Sequence, residues 1–326
     1  MVRVVAHARL HFGQIDLHGG LGRRFGCIGV AVEMPRVVLE AEPASGLVVE
    51  GPDCDRVAWA AKRFFEALRA PAAARIRIQE SIPTHVGLGS GTQLLLATGM
   101  ALASLAGFYL PVERLARIMQ RGGRSGIGIG VFARGGFVVD GGVSARANHT
   151  GPEVPPLLFH HPFPPDWWFV VAVPAVHQGV SGAAEDRAFA DAPLMEAQQV
   201  GEICRLLVMQ MLPALVERDI RAFGAALTRI QAIVGDYFAG LQGGRFSTPL
   251  GAALVARMLE SGACGAGQSS WGPAVYGLVD GEITAREMTR RLRETMPRSE
   301  EATILCAPAA NAGAVCTVTE RRPCPS

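Results

Sequence analysis

No C-x-x-C pair occurs in this chain, although it carries seven cysteines, at positions 27, 54, 204, 264, 306, 316 and 324. Their scatter offers neither a zinc knuckle nor a disulfide framework, and it suits a reducing cytoplasm. Charge is also sparse, with 18% charged residues and a formal net charge of +2. A general nucleic-acid binder needs a basic surplus that this balance does not supply, so no nucleic-acid partner is expected. The N-terminus lacks the apolar core of a secretory signal, because Arg3, His7, Arg9 and His11 interrupt MVRVVAHARLHF. One uncharged run, Leu94 to Leu110, imitates a membrane span, but it is short and contains Gly99, Ser104 and Gly107. It reads instead as a helix buried on most faces, with no membrane partner. No repeat of solenoid period is present. No lysine motif suggests pyridoxal phosphate, and nothing suggests haem, flavin or an iron–sulfur cluster, so no organic cofactor is expected.

What the chain does have is apolar bulk and glycine. Hydrophobic residues make up 49% of 326, enough for two domains with a core each. The first 50 residues alternate in strand fashion as VRVVAHARLHF, GCIGVAVEM, RVVLEAE and GLVVEG. A helix is predicted over 55–69, then a strand RIRIQESI, a helix over 90–108 and another from Pro111 to about Arg121. The glycine-dense stretch 122–142 reads as a loop and hairpin. Six prolines across 145–166 mark a connection and divide the chain into domains 1–155 and 156–326. The second half reads as a buried strand WWFVVAVP, helices at 194–212, 218–239 and 246–261, a Gly/Ser-rich loop, strand VYGLV, a helix at 284–296 and strand TILCAP. The tail ERRPCPS is expected to fray.

The stretch PTHVGLGSGTQLLLA, residues 83–97, concentrates the chemistry. Gly87, Gly89 and Gly91 let backbone approach a ligand closely. Ser90 and Thr92 can cap the following helix or bond a phosphate, and the free amides with the helix dipole favour an anion. The stretch is not a Walker A loop, since no G-x-x-x-x-G-K-[ST] occurs, and GLGSG lacks the Rossmann spacing. Taken alone, these residues leave a ligand-free strand-to-helix turn as open as an anion site.

In context the stretch resembles the second signature motif of the GHMP kinase superfamily, P-x-x-x-G-L-G-S-S-A. ARLHFGQIDLHGG lies where that superfamily has its first motif, and GAGQSSWGPAVYGL (265–278) lies where it has its third. The resemblance implies an α+β, two-domain GHMP kinase-like fold. An N-terminal α/β domain would carry the phosphate loop, a C-terminal ferredoxin-like α+β domain would follow, and the substrate cleft would lie between them. Many kinases of the superfamily carry an aspartate in S-G-[IV]-D, where it orients or deprotonates the nucleophile. Here the segment reads Ser125-Gly126-Ile127-Gly128.

The detailed motifs, IDLHGGLGR, HVGLGSGTQ, GRSGIGIGVFARGGFVVDGG and GQSSWGPAVYG, are similar to the β-ribofuranosylaminobenzene 5′-phosphate synthase branch. That resemblance implies transfer of phosphoribose from 5-phosphoribosyl-1-pyrophosphate to p-aminobenzoate or 4-hydroxybenzoate, with loss of CO2 and pyrophosphate, in methanopterin-type cofactor biosynthesis. Ordinary phosphoribosyltransferases grip the donor with an acidic pair and a Thr-Gly loop. FVVDGGVSA has only Asp140, so if phosphoribosyl pyrophosphate is the donor, as the resemblance implies, the glycine loop must hold its phosphates. Two other readings stay open, an ATP-dependent small-molecule kinase and a non-catalytic ligand-binding protein.

Roles follow from this placement. Gly87, Leu88, Gly89, Ser90, Gly91, Thr92 and Gln93 are expected to cradle phosphate, with Arg23 and Arg124 as bidentate partners. Gln268, Ser269 and Ser270 are expected to face the cleft, beside Trp271, which reads equally well as a wall for an aromatic ring and as an ordinary core aromatic. Asp16, His85 and Ser125 are the candidate catalytic residues. Mg²⁺ is the expected metal, with Asp16 as a ligand, though Asp16 reads equally well as a turn cap. The loop 176–187 offers Ser181 or Arg187 to a substrate carboxylate. Small-molecule substrates are the expected partners, and a homodimer is compatible with the sequence.

Overall fold

The computed structural model describes residues 1–145, 153–175, 192–296 and 301–319. The loop at 176–187 and the tail from 320 lie outside them. Two sheets organise the chain. In the first, β1 (Val2–Asp16) and β2 (Arg23–Glu42) form a long antiparallel hairpin, flanked by β4 (Ala74–Glu80), β3 (Leu47–Glu50) and β12 (Val315–Val318) in the order β12-β1-β2-β4-β3. Strands β5 (Phe137–Asp140), β6 (Val143–Ser144) and β7 (Leu157–His161) join this sheet through β2 and β5. The second sheet runs β11-β8-β10-β9, from Ala302–Pro308, Trp167–Pro174, Val275–Asp280 and Gly265–Gln268, all antiparallel.

Helices α1 (Cys54–Leu68), α2 (Ser90–Leu105), α3 (Val112–Ile118) and α4 (Ile127–Arg134) belong to the first half. In the second half α5 (Ala197–Leu206) runs through a π segment, Leu207–Met211, into α6 (Leu212–Glu217). Helices α7 (Ile220–Gln242), α8 (Pro249–Glu260) and α9 (Glu282–Thr295) follow. The run 94–110 is a core helix only as far as Leu105, where α2 ends: α2 buries eleven of its residues, among them Leu94, Leu95, Leu96 and Leu102, whereas 106–109 are non-helical and exposed. Among the described residues, one helical stretch, Ala197–Glu217, is long and apolar enough to cross a membrane by length and composition.

Two expectations are corrected and one strand was not expected at all. GCIGVAVEM and RVVLEAE are one strand, not two. The ladder with β1 passes from Ala8↔Val32 to His7↔Arg36, so residues 33–35 bulge out and Pro35 loses no ladder bond. The stretch expected as loop and hairpin contains a helix, α4. Its Ile, Val and Gly content favours a strand locally, but Ile127, Ile129, Val131 and Phe132 are buried and Asp140 holds its first turn. Finally, Val315–Val318 returns to pair with β1, which no local pattern signals.

The two sheets share an aromatic core. Phe12 of β1 is fully buried and meets Tyr276 at 5.3 Å, Phe169 at 6.0 Å, Phe137 at 6.3 Å and Phe223 at 6.4 Å between ring centroids. Those rings come from β10, β8, β5 and α7, so one side chain ties both sheets together. The carbonyl of Phe12 also accepts from Gln231 Nε2 of α7 at 2.6 Å. We predict that Phe12→Ala lowers the unfolding free energy by about 3–5 kcal/mol, read by chemical denaturation.

Candidate functional site

The glycine loop joins β4 to α2, and its geometry is set by backbone conformation. His85, Gly87 and Gly89 all have left-handed φ, at 58°, 87° and 81°. Gly89 ends the loop at the N-terminus of α2, where no side chain caps the helix and the first helical bond is Gln93 N–H to Gly89 O at 3.2 Å. The amides of Ser90, Gly91 and Thr92 are therefore left for another acceptor. Leu88 contributes only backbone: its side chain is in the core, and its carbonyl accepts from Arg9 N–H at 3.1 Å.

This loop is locked against the third motif. A Cβ on Gly87 would overlap the carbonyl oxygen of Ser269, and one on Gly272 would overlap the backbone of Val86. Ser269 is fully buried. Its Oγ donates to Gly87 O at 2.6 Å and accepts from His11 N–H at 3.0 Å. Arg9 Nη1 donates to the same Gly87 carbonyl, and Ala274 N–H donates to Val86 O at 3.2 Å. Motifs 180 residues apart thus meet on β1 with almost no slack.

Gln93 is buried, and its Nε2 donates to Gly128 O at 2.8 Å while Oε1 has no hydrogen-bond partner. Gly128 stands where the kinase pattern has aspartate. A Cβ there would lie 3.0 Å from Thr92 Cγ2 and 3.3 Å from Thr92 Oγ1, so Thr92 occupies the room a longer side chain needs. Just upstream, Ser125 Oγ accepts from Ile127 N–H at 3.3 Å. Asp140 fixes this segment: its carboxylate accepts from Gly126 N–H at 2.7 Å and Gly142 N–H at 2.8 Å. Burial pushes the Asp140 carboxyl up to about 6, against the pull of its backbone donors.

The remaining predicted residues occupy the far end of β1. Asp16 closes the strand, and its Oδ1 accepts from His18 N–H at 2.8 Å and Gly19 N–H at 2.7 Å, the turn-capping role. Arg23 is exposed and spends its guanidinium on Gly141 O at 2.8 Å and Gly142 O at 2.7 Å. Arg124 is half-buried, with its carbonyl 3.9 Å from Cys27 Sγ. Seven residues of strand separate Arg9 from Asp16, roughly 20 Å, so the site is elongated. Among the described residues no three His, Cys, Asp or Glu side chains form a metal-binding group. The described residues therefore offer no three-ligand protein cage for Mg²⁺.

Between the two ends lies a narrow crevice with an enclosed volume of ≈ 20 Å³, lined by His11, Gly13 and Gln14 of β1, Gln231, Val234 and Phe238 of α7, and Gln268, Ser270 and Trp271. Gln268 is tied down by Ser247 N–H at 2.7 Å and by its own Nε2 to Ser270 O at 2.9 Å. Phe238 packs edge-on to Trp271 at 4.7 Å. His11 was not singled out from the sequence. Burial, then the charge of Arg9, pushes its imidazole down to about 3, and its Nδ1 accepts from Gly13 N–H at 3.2 Å. A neutral ring with Nδ1 accepting carries its proton on Nε2. Arg9 and His11 were legible only as outward positions of an alternating strand.

Family models agree with this architecture. The GHMP kinase N-terminal domain matches residues 55–136, and the GHMP kinase C-terminal region matches 211–298. Beta-ribofuranosylphenol 5'-phosphate synthase of Archaeoglobus fulgidus is 35% identical over 298 residues, 89% of this chain and 92% of that protein. The chain belongs to the GHMP kinase superfamily. The enzyme of the same name from Methanothermobacter thermautotrophicus is 33% identical, across 84% of this chain and 87% of that protein. Within the superfamily the chain is thus closely related to the beta-ribofuranosylphenol 5'-phosphate synthases. The GHMP fold is shared with Methanococcus jannaschii mevalonate kinase, at TM-score 0.69 and 14% identity over 95% of this chain and 98% of that one. A putative homoserine kinase of Listeria monocytogenes gives 0.67 and 17%, over 98% and 100%.

Two predictions follow from this superfamily member's site. Gly87→Ala and Gly107→Ala both place alanine at a φ near +80°, but only Gly87 faces another loop. Gly87→Ala should cost about 1–3 kcal/mol more than Gly107→Ala in denaturant titrations. Because His11 titrates near 3 when folded and near 6.5 when unfolded, its contribution is complete above pH 6.5. It is lost as pH falls toward 3, by up to about 1.4 kcal/mol per unit. Asp140 acts oppositely, favouring the fold at low pH and losing that effect as pH rises through about 6. His11→Gln should therefore flatten the acid limb relative to wild type, measured as unfolding free energy from pH 6.5 to 4.

Proposed function

We propose that this protein transfers the phosphoribosyl group of 5-phosphoribosyl-1-pyrophosphate to a para-substituted benzoate, with loss of CO2 and pyrophosphate. The observation that carries this reading is identity of 31–35% to three beta-ribofuranosylphenol 5'-phosphate synthases across 84–89% of the chain. Their name favours a phenol product, hence 4-hydroxybenzoate as acceptor, with p-aminobenzoate as its amino counterpart giving the aminobenzene. The products fit methanopterin-type cofactor biosynthesis.

In this reading the amides of the glycine loop receive the diphosphate. As the bond from ribose C1 to the diphosphate oxygen breaks, its electron pair leaves with pyrophosphate. The ring carbon bearing the carboxylate, activated by the para oxygen or nitrogen, forms the new bond to C1. Departure of CO2 returns its bonding pair to the ring, which serves as its own electron sink. No base at residue 128 is required, which agrees with the glycine there and the packing of Thr92 against it. The crevice bounded by Trp271, Phe238 and the neutral His11 has room for about one water as it stands, so the flat acceptor has to open it, with His11 Nε2–H as a donor. We assign Ser125 and His85 to the ribose and Gln268, Ser269 and Ser270 to the wall between donor and acceptor. Asp16, the candidate catalytic carboxylate at the far end of β1, acts in this reading by holding the turn that carries Arg23. Arg124 completes the cationic rim. A magnesium ion would have to be carried mainly by the diphosphate oxygens.

The test uses carboxyl-¹⁴C-labelled 4-hydroxybenzoate and p-aminobenzoate. Release of ¹⁴CO2 only with phosphoribosyl pyrophosphate, and not with ATP, is the expected result. No release from either acid, with ATP consumed on another small alcohol, would return the protein to the kinases.

A further inference from the structure

A pair of arginines sits at the glycine loop that neither the motifs nor the relatives' names point to. Gly91 is the second residue of α2. A Cβ built on it would lie 3.1 Å from Arg56 Nη2 and 3.1 Å from Arg121 Nη2. The two guanidinium nitrogens are therefore within twice that distance of each other. Arg56 rises from the first turn of α1. Arg121 follows α3, after Gln120 in the left-handed region at φ 53°, with its amide bonded to Ala116 O at 2.7 Å. The placement is built rather than incidental. Gly99 lets α3 close on α2, where a Cβ would meet Met119 Cε at 2.8 Å, and Arg63 Nε ties α1 to Ile118 O at 2.9 Å.

The charges on this pair are poorly compensated. Arg56 has Asp53, at 3.2 Å, and Asp53 also takes the hydroxyl of Ser81. Arg121 has no ion pair with any described residue, and its Nε is sealed from solvent without a hydrogen-bond partner. Burial first, and Arg56 second, pull the Arg121 guanidinium below its ordinary value. Two like charges converging in a half-buried place cost free energy unless an anion joins them. The chain holds a single lysine, Lys62, so a cationic phosphate contact here must be an arginine.

We propose that Arg56 and Arg121 form a diphosphate subsite, gripping one phosphate of the donor while the amides of Ser90–Thr92 take the adjacent one. The inference deepens the proposed function and rests on it for the identity of the donor. The absence of a side chain at Gly91 is what opens the space between the two guanidiniums. Arg121, with a planar fork and no carboxylate among the described residues to satisfy it, is the stronger contact.

The experiment is calorimetric titration of inorganic pyrophosphate into the full-length protein and into Arg121→Gln and Arg121→Lys, with thermal melts of each in the absence of ligand. Arg121→Gln should weaken pyrophosphate binding about 10- to 100-fold, and Arg121→Lys less, because it keeps the charge and loses the fork. The melting temperature without ligand should hold or rise in both, since a repelled cation has been removed or made mobile. Pyrophosphate affinity within twofold of wild type in Arg121→Gln overturns the subsite. So does a drop of several degrees in its ligand-free melting temperature, which would mark a structural arginine. Binding does not depend on turnover, so the two readings fail separately. Arg121-dependent pyrophosphate binding without CO2 release removes the acceptor chemistry alone. Normal CO2 release with Arg121-independent binding removes the subsite alone.

Discussion

The contact between Gly87 and Ser269 is the constraint on which the site depends. Two loops 182 residues apart touch through backbone, with the Ser269 hydroxyl and Arg9 Nη1 satisfying the carbonyl between them. A backbone-to-backbone contact tolerates no side chain, so it fixes loop separation far more tightly than apolar packing would. Because Arg9 and the amide of His11 complete the junction, β1 becomes the rail along which every other part is placed. The glycine loop stands at one point of that rail, the cleft a few residues on, and the Asp16 turn at its end.

Burial of polar groups along this rail is costly and therefore specific. Asp140 is sealed in the core with one oxygen on Gly126 N–H, at the start of α4, and the other on Gly142 N–H, which sets where Ser125 and Gly128 lie. His11 is kept neutral by the same lack of water. Gln231 spans from Phe12 O of β1 to Gln268 N–H of β9, linking the two sheets beneath the cleft. Each of these groups would be destabilising if its partner moved, so they define one arrangement of the two halves rather than a range. The same scarcity of compensation at Arg121 is a deficit on the protein side that an anion can fill.

The sequence carried the fold well and the site unevenly. The helices at Cys54–Leu68, Ser90–Leu105 and Ile220–Gln242 and the strand Trp167–Pro174 follow from periodicity and caps within a few residues. The helix Ile127–Arg134 was misread because its glycines and β-branched residues are decided by packing against Thr92 and by a carboxylate beyond its own end. Val315–Val318 was invisible because its pairing partner is the first strand of the chain. The glycine loop was legible because glycine at left-handed φ leaves a mark in sequence. Arg56 and Arg121 were not, because a cation on a helix or just beyond its end reads as solvated surface until its neighbours are known. Arg23 shows the reverse: a prominent motif arginine whose fork is occupied by Gly141 and Gly142.

The central claim is that a fold shared with kinases here holds the diphosphate of a sugar donor at its glycine loop, with the acceptor cleft opening beside it. A crystal structure of the protein with phosphoribosyl pyrophosphate tests this most directly. The account predicts diphosphate density against the amides of residues 87–92 and ribose C1 turned toward His11 and Trp271. Density for the diphosphate at the Arg23 and Asp16 end, with the glycine loop unengaged, would contradict it.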